Sequence, residues 1–152
     1  MNSLYMSTFP LVFEPNPMLH KVASPVEVID ESIKQLGLDM IETMLTESGV
    51  GLAAPQIGML KRMFVVSHRE GAKIIINPEI YWRSWRKEVD EEGCLSIPGV
   101  YGPVRRSRSI KIKYTDENGQ KHDIKAMGFF ARVIQHEFDH IEGVLFTEKL
   151  VR

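Results

Sequence analysis

The chain has 152 residues, is 43% hydrophobic and 26% charged, and carries a formal net charge of -1, the size and composition of one globular domain. No dense block of Lys and Arg points to a specific nucleic-acid or anionic membrane partner, and the longest apolar runs, such as Met63 to Val66, fall far short of the roughly 18 residues of a membrane span. Met1 to Leu11 has neither a basic n-region nor an apolar core, so no secretory or transit signal is expected, and Cys94, as the one cysteine, cannot close an internal disulfide.

Pro10, Pro15, Pro17 and Pro25 keep the first 25 residues from forming a long helix, and Met6 is a candidate alternative start. The first helix is predicted from Asp30, a good N-cap, with Ile33, Leu36, Met40, Ile41, Met44 and Leu45 on one side and Gly49 and Gly51 ending it. Residues 61–67 and 72–77 read as strands, and 79–85 as a third, ending before a charged turn. Ile110, Ile112 and Tyr114 alternate with Lys111 and Lys113, the pattern of a half-buried strand. The tight turn Asp116 to Gly119 predicts a hairpin partner over 120–126. From Gly128 to Glu142 the apolar spacing becomes helical, and Gly143 stops it. Strands in the middle and helices toward both ends predict an α+β fold. Small antiparallel or mixed sheets would pack around the C-terminal helix, as a single domain over 1–152.

His136-Glu137-Phe138-Asp139-His140 is an HExxH sequence inside that last helix. Residues four apart share a helix face, so two imidazoles can bind one divalent cation, and Glu137 lies beside the first of them. A catalytic site needs a third ligand. Few residues follow His140, and Phe146 stands where an HExxHxxGxxH pattern would place a third His. The ligand must then lie upstream, among Cys94, His20, His68, His122 and the carboxylates. Cys94 is the best candidate. Glycine and proline flank its short apolar segment, Glu92 to Gly99, which can present one side chain inward as a thiolate. Cys94, His136 and His140 would leave a fourth, open position. The small-residue stretch Gly49 to Gln56 lets a backbone approach closely and ends in an amide able to donate to an oxyanion.

These segments resemble the peptide deformylases, a family that carries GxGLAAxQ, EGCLS and QHExDHxxG in this order. Here they are Gly49 to Gln56, Glu92 to Ser96 and Gln135 to Gly143, and the resemblance runs from about Pro15 to Phe146. It implies removal of the formyl group from formyl-methionine at the start of newly made polypeptides. It implies one divalent metal on Cys94, His136 and His140: Fe(II) in the cell, with Zn, Ni or Co able to replace it. Glu137 would be the base and then the acid. Gln56 and the backbone N–H of Leu95 would hold the oxyanion. Gly49, Val50, Gly51 and Gly93 would line the peptide path, and Phe129, Arg132 and Val133 would face the methionine pocket. A cytoplasmic, bacterial-type monomer that meets nascent chains, with transient ribosome contact, is expected.

The chain departs from the pattern at His20, where an Arg is common, and at Asp90, where an apolar pocket residue occurs, which predicts a more polar methionine pocket. Its short C-terminus lacks a further helix found in typical bacterial members. Asp139 reads most simply as a solvated or capping carboxylate, His20, His68 and His122 as surface residues, and Gln56, taken alone, as a surface amide. Trp82 and Trp85 beside Arg83 and Arg86 are a weak nucleic-acid signal. Two rival readings are a metallopeptidase and a non-catalytic peptide-binding relative. The second would usually have lost the base or the oxyanion donor, and both residues are present here.

Overall fold

The computed structural model describes residues 7–152, so the alternative start at Met6 lies outside the described residues. Asp30 accepts a hydrogen bond from the Ile33 amide and starts helix α1, Glu31–Thr46. Strands β1 (Gly51–Ala53), β2 (Met63–Val66) and β3 (Lys73–Arg83) follow. Then come β4 (Lys87–Cys94), β5 (Ile97–Ser107), β6 (Ser109–Thr115), β7 (Lys121–Met127) and helix α2 (Gly128–Ile141). The larger sheet has the order β1-β2-β3-β6-β7, and β4 and β5 form a second, two-stranded sheet. Every pairing of these strands is antiparallel. The α+β expectation holds.

Two of the expected strands prove to be one. β3 runs through Pro78, with register shifts between Ile76 and Glu79 and again between Ile80 and Trp82. A proline removes one ladder donor, and the irregular register absorbs that loss. Asn77, at a φ of 50°, sits in the left-handed region that Asn tolerates, and its amide group both accepts from Val26 N and donates to Val26 O. The segment read as a charged turn is the start of the β4–β5 hairpin, which sequence periodicity did not reveal. Most of β4 is exposed on both faces, so it has no apolar alternation to read.

The larger sheet is sandwiched over part of its width. Met63, Val65, Ile74 and Ile76 pack with Met40 and Met44 of α1. Phe64, Val66, Ile75, Ile110 and Ile112 pack with Ala131 and Ile134 of α2 on the other face. All four residues of β2 are therefore buried, as a strand covered on both sides requires. Toward β6 and β7 only the α2 face is covered, so Lys113 and Lys125 reach solvent. The chain ends against β5, where Val151 N donates to Pro103 O. Phe146, in the position of the absent third His, is core instead, packed with Leu19, Ile97, Val104 and Leu145.

Phe64→Ala is expected to lower the urea-unfolding free energy of the metal-free protein by about 3–5 kcal/mol. Lys113→Ala, on the open face, is expected to change it by less than about 0.5 kcal/mol.

Candidate metal centre

Helix α2 turns both imidazoles the same way: the His136 and His140 rings have centroids 5.0 Å apart. Cys94 ends β4, and a register shift between Gly93 and Cys94 marks the turn that brings its thiol toward the helix. Cys94 Sγ lies 3.3 Å from His140 Nε2, and the donor atoms of Cys94, His136 and His140 all fall within 4.8 Å of one another. Ligands about 2.0–2.3 Å from a tetrahedral cation stand roughly 3.5 Å apart, so one divalent ion fits. A thiolate with two imidazoles suits a borderline-soft metal. Among the described residues, two buried side-chain polar atoms lack a hydrogen-bond partner, Glu137 Oε2 and His140 Nδ1, and both belong to this cluster.

The electrostatics favour a cation. His140 is buried and held well below the ordinary imidazole range by that burial and by the neighbouring His136, so it is neutral with a lone pair to give. Burial pushes His136 down too, but its hydrogen bonds with Cys94 and Glu92 outweigh this and raise it to about 10. Glu92 can only accept, so His136 Nδ1 donates to Glu92 Oε1 at 2.8 Å, leaving Nε2 for the thiol side.

Glu92 is itself clamped. Arg106 of β5 gives it two bonds of 2.9 Å, and Arg132 of α2 a third of 2.7 Å. Burial would raise Glu92, but the bonds from His136 and Arg106 hold it well below the usual carboxylate range. Arg106 also binds Asp139, which takes a further bond from Lys149 Nζ at 3.2 Å. Asp139 is therefore 8% exposed, and the solvated reading is corrected. It lies off the ligand face, as its place in the helix requires, and acts through Arg106. Sequence reasoning missed Arg106 altogether, because Arg105 and Arg108 beside it look the same until the alternation of β5 is known.

Glu137 is 4% exposed, and its burial pushes it up to about 7, with His136 acting the other way. A Cβ on Gly51 would stand 2.6 Å from Glu137 Oε1, so the glycine is what lets β1 lie against this carboxylate. A Cβ on Gly49 would meet the Leu95 side chain at 2.8 Å, and one on Gly93 the Tyr101 ring at 2.5 Å. Gln56 is 1% exposed, not a surface amide. Its carbonyl accepts from Ala53 N at 2.9 Å, and its Nε2 donates to Ser96 Oγ at 3.1 Å and lies 3.5 Å from Cys94 Sγ.

These groups line a cleft of about 620 Å³, together with Val50, Leu95, Phe129 and Val133. Arg132 lines it as well, but its guanidinium is spent on Glu92, Val104 O and Glu88 O. Asp90 is exposed and outside the lining, where Glu91 stands instead, so the polar contribution comes one residue later than expected. His20 donates to Glu14 at the surface, 2.9 Å away. His68 is half-buried against Phe130 and His122 half-buried over Tyr114, so neither is a plain surface residue, and neither joins the cluster.

Glu92→Gln is expected to weaken metal binding by roughly 10–100-fold in a chelator competition titration, because His136 loses the acceptor that fixes its tautomer. A pH effect follows for Glu137. Its folded pKa of about 7 lies above the model value of 4.5, so the folded state holds the proton longer and loses stability as pH rises between these values. The metal-free parent is expected to lose about 3 kcal/mol more over that window than Glu137→Gln does, measured by urea unfolding at each pH.

The polypeptide deformylase family model matches residues 9–152. Peptide deformylase 1 of Clostridium perfringens is 51% identical over 140 residues, 91% of this chain and 95% of that protein. The peptide deformylase of Rhizobium meliloti is 43% identical over 148 residues, 94% of this chain and 85% of that one. The crystal structure of peptide deformylase from Thermotoga maritima superposes with a TM-score of 0.94 at 42% identity, covering 95% of this chain and 99% of that chain. That of the Synechococcus elongatus enzyme in complex with actinonin gives 0.92 at 39% identity, covering 95% and 79%. With fold, donor set and sequence in agreement along nearly its whole length, the chain belongs to the polypeptide deformylase family.

Proposed function

We propose that the chain hydrolyses the formyl amide of N-terminal formyl-methionine, releasing formate and a free amino terminus. The observation that carries this reading is the meeting of one thiol, two imidazoles and a buried carboxylate in an apolar-walled cleft. Cys94, His136 and His140 would hold the divalent ion. When bound, it supplies Lewis-acid polarisation of the formyl oxygen and activation of water. Fe(II) is the proposed cellular metal, and Zn, Ni or Co would fit the same donors.

Glu137 does the proton work. Its carboxylate takes a proton from the attacking water and returns it to the departing amine nitrogen. A group near neutrality can do both, and burial brings Glu137 to about 7. The amide of Gln56, already aimed at the Cys94–Ser96 turn, and the Leu95 N–H would donate to the developing oxyanion. Gly49, Val50, Gly51 and Gly93 would guide the peptide backbone. The methionine side chain would enter between Phe129, Val133 and the aliphatic stem of Arg132, whose charge is neutralised by Glu92. Residues 1–152 would act as one catalytic domain and a monomer. No helix of the described residues is long and apolar enough to cross a membrane. The proposed setting is the cytoplasm, on nascent chains, with transient ribosome contact.

Formate release from a formyl-Met tripeptide, with none from its acetylated or free-amine counterparts, is the expected result. Cleavage of internal bonds in unformylated peptides would instead support a metallopeptidase. Metal-loaded Glu137→Gln is expected to lose at least about 10²-fold in kcat, and parental turnover by this variant would remove Glu137 from the reaction.

A further inference from the structure

A second depression of about 450 Å³ adjoins the catalytic cleft and shares Phe129 and Val133 with it. One wall is apolar: Met127, Phe129 and Phe130, from the end of β7 and the start of α2. The other is Ser67, His68 and Arg69, where the chain leaves β2. The two depressions share a wall, since Ser67 N donates to the carbonyl of Val50, a lining residue of the cleft, at 2.8 Å. Phe129 and Met127 are 65% and 57% exposed, although both are large and apolar. A ridge of this kind between two hollows is unusual unless something lies across it.

The charges of the hollows are opposite. Glu47, Glu91, Glu92 and Glu137 line the catalytic cleft. No carboxylate lines the second depression, and Arg69 is exposed there, with no ion pair among the described residues. His68 is kept in place by an edge-to-face contact with Phe130 at 4.8 Å. The nearest acid, Glu70, reaches only to 3.9 Å from His68 Nδ1 and is two-thirds exposed.

Distance fixes which part of a substrate could arrive there. Phe129 lies seven residues before His136 on α2, roughly 10 Å along the axis at 1.5 Å per residue. An extended peptide covers that in about three residues. We infer that the second depression is a subsite for the third or fourth residue of the formylated peptide, counted from methionine, and that it favours an acidic side chain through Arg69. This rests on the deformylase reading above.

The test compares kcat/KM for formyl-Met-Ala-Ala-Ala derivatives with Asp or Lys at position two, three or four. An Asp-over-Lys preference of roughly three- to tenfold is expected at position three or four and not at two, shrinking with added salt. Arg69→Glu should invert the ratio at that same position. The ratio is read within each protein, so a general change in activity does not affect it. An equal preference at all three positions means long-range charge only and overturns the subsite. So does a ratio unchanged in Arg69→Glu. Formate release from every peptide with no preference overturns the subsite alone, whereas no formate from any of them overturns the deformylase reading with it.

Discussion

His136 Nδ1 donates to a Glu92 carboxylate that is also held by Arg106 and Arg132, and the metal centre depends on this four-residue junction. The junction ties β4, β5 and α2, elements from separate sheets and a helix, at one point. Buried ion pairs of this sort add little net stability, because desolvating each charge offsets the attraction. What they supply is a unique arrangement: with two planar guanidiniums on it, the carboxylate has one orientation left, and so has the imidazole. Removing a single member is then costly, since it strands the others.

Around that junction, packing does the remaining positioning. α2 is pressed onto the larger sheet by Ala131 and Ile134, which sets the depth of the helix. Gly51 lets β1 come close enough that Glu137 is enclosed between strand and helix. The same enclosure keeps water off the carboxylate and raises its proton affinity. A base near neutrality and a dry pocket are thus one structural fact, and the stability lost by burying Glu137 is the cost of both.

The parts legible in the sequence are those written in local spacing. HExxH needs only the helical repeat, α1 only an N-cap and a regular apolar stripe, and β6–β7 only alternation and a tight turn. The third ligand was legible because the region beyond His140 offers so few alternatives. What stayed hidden is long-range. Asp139 looks solvated when it is known only to point off the ligand face, because its partner Arg106 is 33 residues away. Gln56 looks like a surface amide because its partners lie on the β4–β5 turn. The β4–β5 hairpin is hidden because a two-stranded sheet with mostly exposed faces carries no hydrophobic period. β3 looks broken because Pro78 argues for an end, and only the register shared with β6 reveals that the strand resumes.

The charges of the centre also separate into two shells with different balance. In the outer one, Glu92 and Asp139 face Arg106 and Arg132, two negative against two positive, and need no further ion. In the inner one, the Cys94 thiol, Glu137 and two imidazoles have no resident cation among the side chains. Protons take up that role in its place, which is why His136 is raised to about 10 and Glu137 to about 7 in the same cluster. A divalent ion would displace them, so metal binding and proton release are linked. The outer shell can therefore form as part of the fold, before any metal arrives, and it presents the inner shell as a site already shaped and short of positive charge.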